Sequence, residues 1–175
     1  MVSQAEGSGL RLAVVGAGHG LVATVAMSGA MGMWQAASRR TRVPPALVTD
    51  RLLAAAGIQP SSSVVRKILE IGGHLGFGAA VGAAYLTGTA ALLRRVPAAR
   101  RVASTVTGPA YGIAVWAVFY GGLLPALGVL PTPPKDDHGR QHQLLATHMI
   151  YGLSLGLTTR HRPARPATGT TRSGV

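Results

Sequence analysis

The chain contains no cysteine and very little acidic charge. Without cysteine it can form no disulfide bond, and it lacks thiolate metal ligands and a cysteine nucleophile. Only 5 residues are Asp or Glu, against 17 Lys or Arg, and charged residues make up 13% of the 175 positions. Soluble domains usually carry about 25% charged residues. The shortage of charged residues argues against the surface of an ordinary soluble protein. The length of 175 residues is enough for one domain.

The basic residues stand in short groups between long runs that carry almost no charge. This arrangement is typical of loops that flank membrane spans, and it argues against a nucleic-acid partner, for which Lys and Arg cluster on one face. A helix needs about 20 apolar residues to cross the hydrocarbon layer. The sequence therefore predicts an all-α integral membrane bundle of about four transmembrane helices within residues 1–160, with spans near 12–34, 68–93, 103–129 and 141–159.

The segments outside the spans give further predictions. Between the first two spans, apolar residues recur at helical spacing over residues 47–53, which predicts a short amphipathic helix. It either lies on the membrane surface or packs on the bundle as an ordinary connecting helix. Pro125 predicts a kink or an end of the third span. The tail at 161–175 is rich in Pro, Arg, Thr and Gly, which predicts a disordered basic segment.

The orientation in the membrane depends on where the positive charges lie. The tight second loop carries Arg94, Arg95, Arg100 and Arg101, and short basic loops favour the cytoplasmic side, so both termini are expected inside. The cluster over residues 39–42 argues for the opposite orientation. The first apolar run is longer than the core of a signal peptide, so we expect it to be a retained span.

The second and fourth spans share the pattern His-x-x-aromatic-Gly-x-x-x-Gly. The matching positions are His74, Phe77, Gly78 and Gly82 in one span, and His148, Tyr151, Gly152 and Gly156 in the other. The first and third spans share Gly-x-x-x-Gly, at Gly16 and Gly20 and at Gly108 and Gly112. The chain is thus either two repeated helix hairpins running parallel, or a set of glycine-rich apolar helices that resemble one another by chance.

Glycines four residues apart lie on one face of a helix, where they form a flat strip. Such strips allow helices to approach closely in lipid. We therefore expect helix packing at Gly16/Gly20, Gly78/Gly82 and Gly152/Gly156, and also an inward-facing strip at Gly72/Gly76.

The candidate polar site consists of Glu70, His74 and His148. Glu70 and His74 lie one helical turn apart, and His148 matches His74 in the repeat. Ionisable groups inside a bilayer are costly and tend to face the bundle, where a carboxylate beside an imidazole can relay a proton or bind a cation. The alternative places Glu70 among lipid headgroups, beside Arg66 and Lys67, and gives His74 a hydrogen bond to a neighbouring helix. The three also suggest a metal ligand set, but the Glu-x-x-His pairs of such bundles are missing, so no metal and no cofactor is predicted.

The segment from Gly16 to Gly20 also resembles the glycine turn of a dinucleotide-binding fold. The full fingerprint needs a further glycine, where this chain has Leu21, and an acidic residue about 20 positions later, where none stands before Asp50. A nucleotide-binding oxidoreductase is therefore only a remote alternative.

The chain resembles the YagU-like family of small bacterial inner-membrane proteins. The likeness lies in Gly20-Leu-Val-Ala-Thr24, in His74-Leu-Gly-Phe77-Gly78, in residues 110–116 and 123–128, and in His148-Met-Ile-Tyr151-Gly152. It covers about residues 10–158, although this chain lacks the extra polar segments of longer members. The resemblance implies several spans in the bacterial cytoplasmic membrane and implies no reaction.

These observations leave two main hypotheses of function. The first is a non-enzymatic membrane protein that packs with lipids, with a partner or with itself as a homo-oligomer, because glycine strips are abundant and catalytic groups scarce. The second is a small transporter or channel in which Glu70, His74 and His148 face the pathway. The substrate is left open by the sequence.

Overall fold

The computed structural model describes residues 2–38, 44–96 and 104–159. Within these ranges the chain is helical and contains no strand. The elements are α1 (Val2–Ser38), α2 (Pro44–Ala55), α3 (Ser63–Arg95), α4 (Ser104–Val118), a π-helical turn (Phe119–Leu123), α5 (Leu124–Ala126), a 3₁₀ turn (Pro133–Lys135) and α6 (His138–Thr158). The predicted fold class, an all-α membrane bundle, is confirmed. The basic cluster at 39–42, residues 100 and 101 of the second loop, and the tail at 161–175 lie outside the described residues.

Three of the helical segments are long and apolar enough to cross a membrane. They are Gly7–Ala37, Ser63–Arg95 and Ser104–Ala126. The helix α6 is long enough at 21 residues but is not apolar enough, because its first turns carry Arg140, Gln141, His142 and Gln143. It nevertheless packs against both α1 and α4, and Thr147 and Leu155 are fully buried. A helix shielded by its neighbours need not be apolar all round. The fourth span stays a prediction.

The helices α1 and α3 form an antiparallel pair, here called the first hairpin. Gly16 lies against Gly82, and Gly20 lies against Gly78. A Cβ atom added to Gly16 would stand 2.7 Å from the carbonyl oxygen of Gly82, which no real side chain tolerates. The two backbones therefore touch directly at this glycine seam, and even alanine is too large there.

The helices α4 and α6 form the second hairpin, which has a seam of the same kind. Gly108 and Gly112 lie against the backbone of α6 at Gly152 and Gly156, and at His148. A Cβ atom added to Gly108 would stand 2.9 Å from the amide nitrogen of Gly156. The two hairpins thus carry their seams at the positions that the sequence pattern pairs. Gly72 and Gly76 differ: an added Cβ atom at either would meet nothing within 4 Å, so the expected inward-facing strip there is wrong.

Tyrosines connect the two hairpins. The Tyr151 hydroxyl donates to the carbonyl oxygen of Gly78 at 2.7 Å, and the Tyr111 hydroxyl donates to that of Val81 at 2.9 Å. The Tyr85 hydroxyl lies 3.1 Å from that of Thr107, and the Tyr85 and Tyr111 rings are 5.0 Å apart. A buried hydroxyl needs a partner, and hydrogen bonds of this kind hold helices together in lipid.

The third span ends in an irregular segment. Pro125 has no N–H to donate, and its ring would clash with a regular helical turn before it. The helix widens into the π-helical turn at Phe119–Leu123, continues through the short α5 and then ends, with Gly128 at a φ of +68°. The loop that follows is anchored by Asp136, which accepts a hydrogen bond from the Tyr120 hydroxyl at 2.7 Å and pairs with Arg140 at 3.1 Å. Pro125 was predicted to kink or to end the third span. In the structure a π-helical turn precedes it and the helix ends shortly after it.

The short helix α2 packs on the bundle. Leu47 and Val48 lie against a buried cluster that contains Tyr120, Leu130 and Leu144. Asp50 forms an ion pair with Arg66 of α3 at 3.6 Å. The structure therefore agrees with the connecting-helix alternative for this segment.

Replacing Gly82 by alanine is expected to destabilise the protein by about 1–3 kcal/mol, because the new methyl group has no space in the first seam. The control is Gly76→Ala, 6 residues earlier on the same helix, where space is open. It should leave stability unchanged or slightly raised. Thermal unfolding in detergent measures both. Equal losses in the two variants would contradict the seam.

A measurement of membrane topology tests whether α6 crosses the membrane. Reporters that work only in the cytoplasm or only outside it would be fused within the loop at 127–137 and at the C-terminus. We expect opposite sides, because α6 runs antiparallel to α4 along the whole second seam. Reporters on the same side would show that α6 does not span.

Candidate functional site

A cavity of about 340 Å³ lies between the two hairpins and beneath α2. Its wall is mostly apolar, and Glu70, His74 and His148 all line it. The first two come from α3 and the third from α6. The structure thus brings together the three residues that the sequence singles out.

Glu70 stands at the edge of the cavity in a close ion pair. Its two carboxylate oxygens accept hydrogen bonds from Nζ of Lys67 at 3.0 and 3.1 Å. The Glu70 side chain is only 12% exposed, whereas that of Lys67 is 60% exposed. Lys67 does not line the cavity, so it approaches the carboxylate from outside. The carboxylate is therefore shared between the cavity and the outer surface of α3.

His74 follows one helical turn later on α3. Its Nε2 atom is buried and has no hydrogen-bond partner. A buried polar atom without a partner is uncommon because its lost hydration is not replaced. The expected hydrogen bond from His74 to a neighbouring helix is therefore missing at this nitrogen.

His148 is held in a defined orientation. Its Nδ1 atom lies 2.7 Å from the carbonyl oxygen of Leu144, one turn earlier on α6. A carbonyl oxygen can only accept, so Nδ1 carries the proton. In the neutral ring Nε2 is then a hydrogen-bond acceptor.

Aromatic rings from both hairpins form another part of the wall. The rings of Phe77 and Phe119 meet edge to face with centroids 4.7 Å apart, and Tyr120 and Tyr151 lie nearby in the lining. Phe119 and Tyr120 belong to the π-helical turn. Such turns inside α-helices occur frequently at functional sites, because they redirect side chains.

Several lining residues were not predicted from the sequence. They include Thr24, Met27 and Met31 of α1, Val48 and Leu52 of α2, and Phe119 of the π-helical turn. The one available signal was the pair Gly121-Gly122 shortly before Pro125, because helices kink at proline and at glycine pairs. No sequence signal indicated that α2 covers the cavity.

Two other readings of these residues are not supported. In the described part of the chain, no group of three or more His, Cys, Asp or Glu residues could hold a metal ion, so the three site residues do not form a ligand set. The segment from Gly16 to Gly20 is helical throughout and packs in the first seam. It therefore lacks the strand and the turn that a dinucleotide-binding fingerprint requires.

Comparison with known proteins finds no matching family model, no matching curated protein and no matching solved structure. The resemblance to the YagU-like family accordingly stays a prediction.

Proposed function

We propose that this protein is a small membrane transporter that binds its substrate in the cavity between the two hairpins. The observation that carries the proposal is the position of Glu70, His74 and His148, which come from two helices and line one mostly apolar cavity. We place the protein in a bacterial cytoplasmic membrane, as a member of the YagU-like family, with both termini inside.

The chemistry of the cavity supports a binding role. Ionisable residues within membrane spans are expensive, and they commonly mark substrate or ion pathways. Binding sites for small molecules are usually mostly apolar, with a few polar groups, and have volumes of about 300–1,000 Å³. The cavity of about 340 Å³ suits a small substrate at the lower end of that range.

The position of the cavity supports transport in particular. In transporters built from repeated units, substrate sites lie at the interface between the repeats. Here the first hairpin supplies Glu70 and His74, and the second supplies Phe119 and His148. On one side of the cavity both glycine seams bring backbones into contact, and on the other side α2 forms a cover. This arrangement fits a site with access from one membrane face at a time.

The packing hypothesis is weakened for three of the glycine strips, although the strip at Gly72/Gly76 faces outward. The strips at Gly16/Gly20, Gly78/Gly82 and Gly152/Gly156 are filled by helices of the same chain. They are therefore not free to recruit a partner or a second copy.

Because the natural chain has no cysteine, single cysteines can test whether water reaches the cavity. Val81→Cys places a thiol in the cavity wall. We expect it to react with a charged, membrane-impermeant thiol reagent about ten-fold faster than a lipid-facing cysteine, because thiols ionise and react readily only where water is present.

The matched control is Val22→Cys on α1. Val22 is 56% exposed on the outside of the bundle, and the first seam places it within about one helical turn of the depth of Val81. If the two cysteines react equally slowly from both sides of the membrane, the cavity is not part of a pathway and the transporter proposal fails.

A further inference from the structure

The polar atoms that remain available in the cavity are mainly acceptors. The hydroxyls of Thr24, Tyr120 and Tyr151 already donate to Gly20, Asp136 and Gly78 respectively. Nδ1 of His148 donates to Leu144, which leaves Nε2 of the neutral ring as an acceptor. The Glu70 carboxylate accepts only. The neutral ring of His74 offers one donor and one acceptor nitrogen, and the Thr49 hydroxyl can donate or accept, so acceptors still outnumber donors in this wall. A ligand that suits the wall therefore brings mainly hydrogen-bond donors.

In the described part of the chain, the one formal charge in the cavity wall is negative. Among the lining residues Glu70 is the single Asp, Glu, Lys or Arg, and it is mostly buried. An anionic ligand would meet this carboxylate at short range in an apolar environment, where like charges repel strongly. A cationic ligand would instead form a charge-assisted hydrogen bond, which is among the strongest polar contacts.

The rest of the wall favours an apolar body. Phe77 and Phe119 present aromatic surface, and Met27, Met31 and Leu52 add flexible apolar side chains. Aromatic rings also attract a nearby cation through their faces. We propose that the substrate is an amphipathic monovalent amine, whose protonated nitrogen binds Glu70 and His148 and whose apolar body lies against Phe77 and Phe119. This inference rests on the transporter function proposed above and specifies its substrate class.

Lys67 supplies an exchangeable counterion in this scheme. When no amine is bound, its ammonium group neutralises Glu70 from outside the cavity, over two hydrogen bonds. Lys67 is long, flexible and 60% exposed, so it can turn to the headgroups when a substrate amine takes its place. The substrate amine would then replace the Lys67 ammonium group at the Glu70 carboxylate, so neither the amine nor the carboxylate would be buried without a counterion.

Three compounds with the same body and different head groups test the charge preference. They are phenylbutylamine, phenylbutanol and phenylbutyrate, which are positive, neutral and negative at pH 7. Titration calorimetry would use the full chain in lipid nanodiscs, with protein-free nanodiscs subtracted to remove partitioning into lipid. We expect the amine to bind about ten-fold tighter than the alcohol, the usual size of a charge-assisted hydrogen bond, and the acid more weakly than both.

Two variants assign the effect to Glu70. Glu70→Gln should weaken amine binding about ten-fold and leave alcohol binding unchanged, which also shows that the variant is folded. Lys67→Met should tighten amine binding by about two- to five-fold, the range of a partly exposed ion pair, because the competing cation is removed. A purely structural salt bridge would produce no such gain.

The outcomes separate this inference from the function on which it rests. Equal affinities for the amine and the alcohol, or tighter binding of the acid, would overturn the amine assignment while leaving a binding cavity in place. Amine binding that is unaffected by Glu70→Gln would overturn it as well. If none of the three compounds binds, the amine assignment is wrong, and the reactivity of Val81→Cys then decides whether the cavity is a pathway at all.

Discussion

Direct contact between helix backbones at the two glycine seams is the constraint on which the rest of this structure depends. In lipid, apolar side chains gain little by meeting one another, so helices associate mainly through close packing and polar contacts. At Gly16, Gly20, Gly78 and Gly82 the absence of side chains lets α1 and α3 touch. In the second hairpin, glycines let the backbones of α4 and α6 touch in the same way. Each seam fixes an antiparallel pair and its register.

The seams also determine where the cavity lies. Beyond the first seam, glycine gives way to larger side chains, among them Met27 and Met31 on α1 and His74 and Phe77 on α3, and these line the space between the hairpins. Tyr151 crosses from α6 to the carbonyl oxygen of Gly78, next to the seam, and so joins the hairpins at the cavity wall. Glu70 and the two histidines therefore occupy the region where close backbone contact has ended. Their position follows from the same glycine pattern that holds the helices together.

Much of this arrangement could be predicted from the sequence. The long uncharged runs indicated the helical membrane class, and the four-residue spacing of glycines indicated which faces approach closely. The position of Glu70, His74 and His148 within apolar helices marked them as candidate site residues. Periodicity defines a face of a helix but does not identify its neighbour, so Gly72 and Gly76 had the same signal as Gly78 and Gly82 and yet face outward. The cover formed by α2 depends on tertiary contacts that no local pattern contains, whereas Pro125 indicated an irregular turn without specifying that it would be π-helical. The polar first turns of α6 pair with the loop before them, through Arg140 with Asp136 and Gln141 with the carbonyl oxygen of Pro133, and hydropathy does not show these contacts.

The central claim is that the two hairpins meet around the cavity, and a cross-link between them tests it most directly. Phe77 and Phe119 come from different hairpins and their rings are 4.7 Å apart. In the double variant Phe77→Cys/Phe119→Cys, a short bifunctional thiol reagent should link the two positions within one chain almost completely. In the control Leu92→Cys/Phe119→Cys the first cysteine lies 15 residues further along α3, about 22 Å from Phe77 along the helix axis, and no link should form. Absence of the first cross-link, or equal yields from both pairs, would contradict the account.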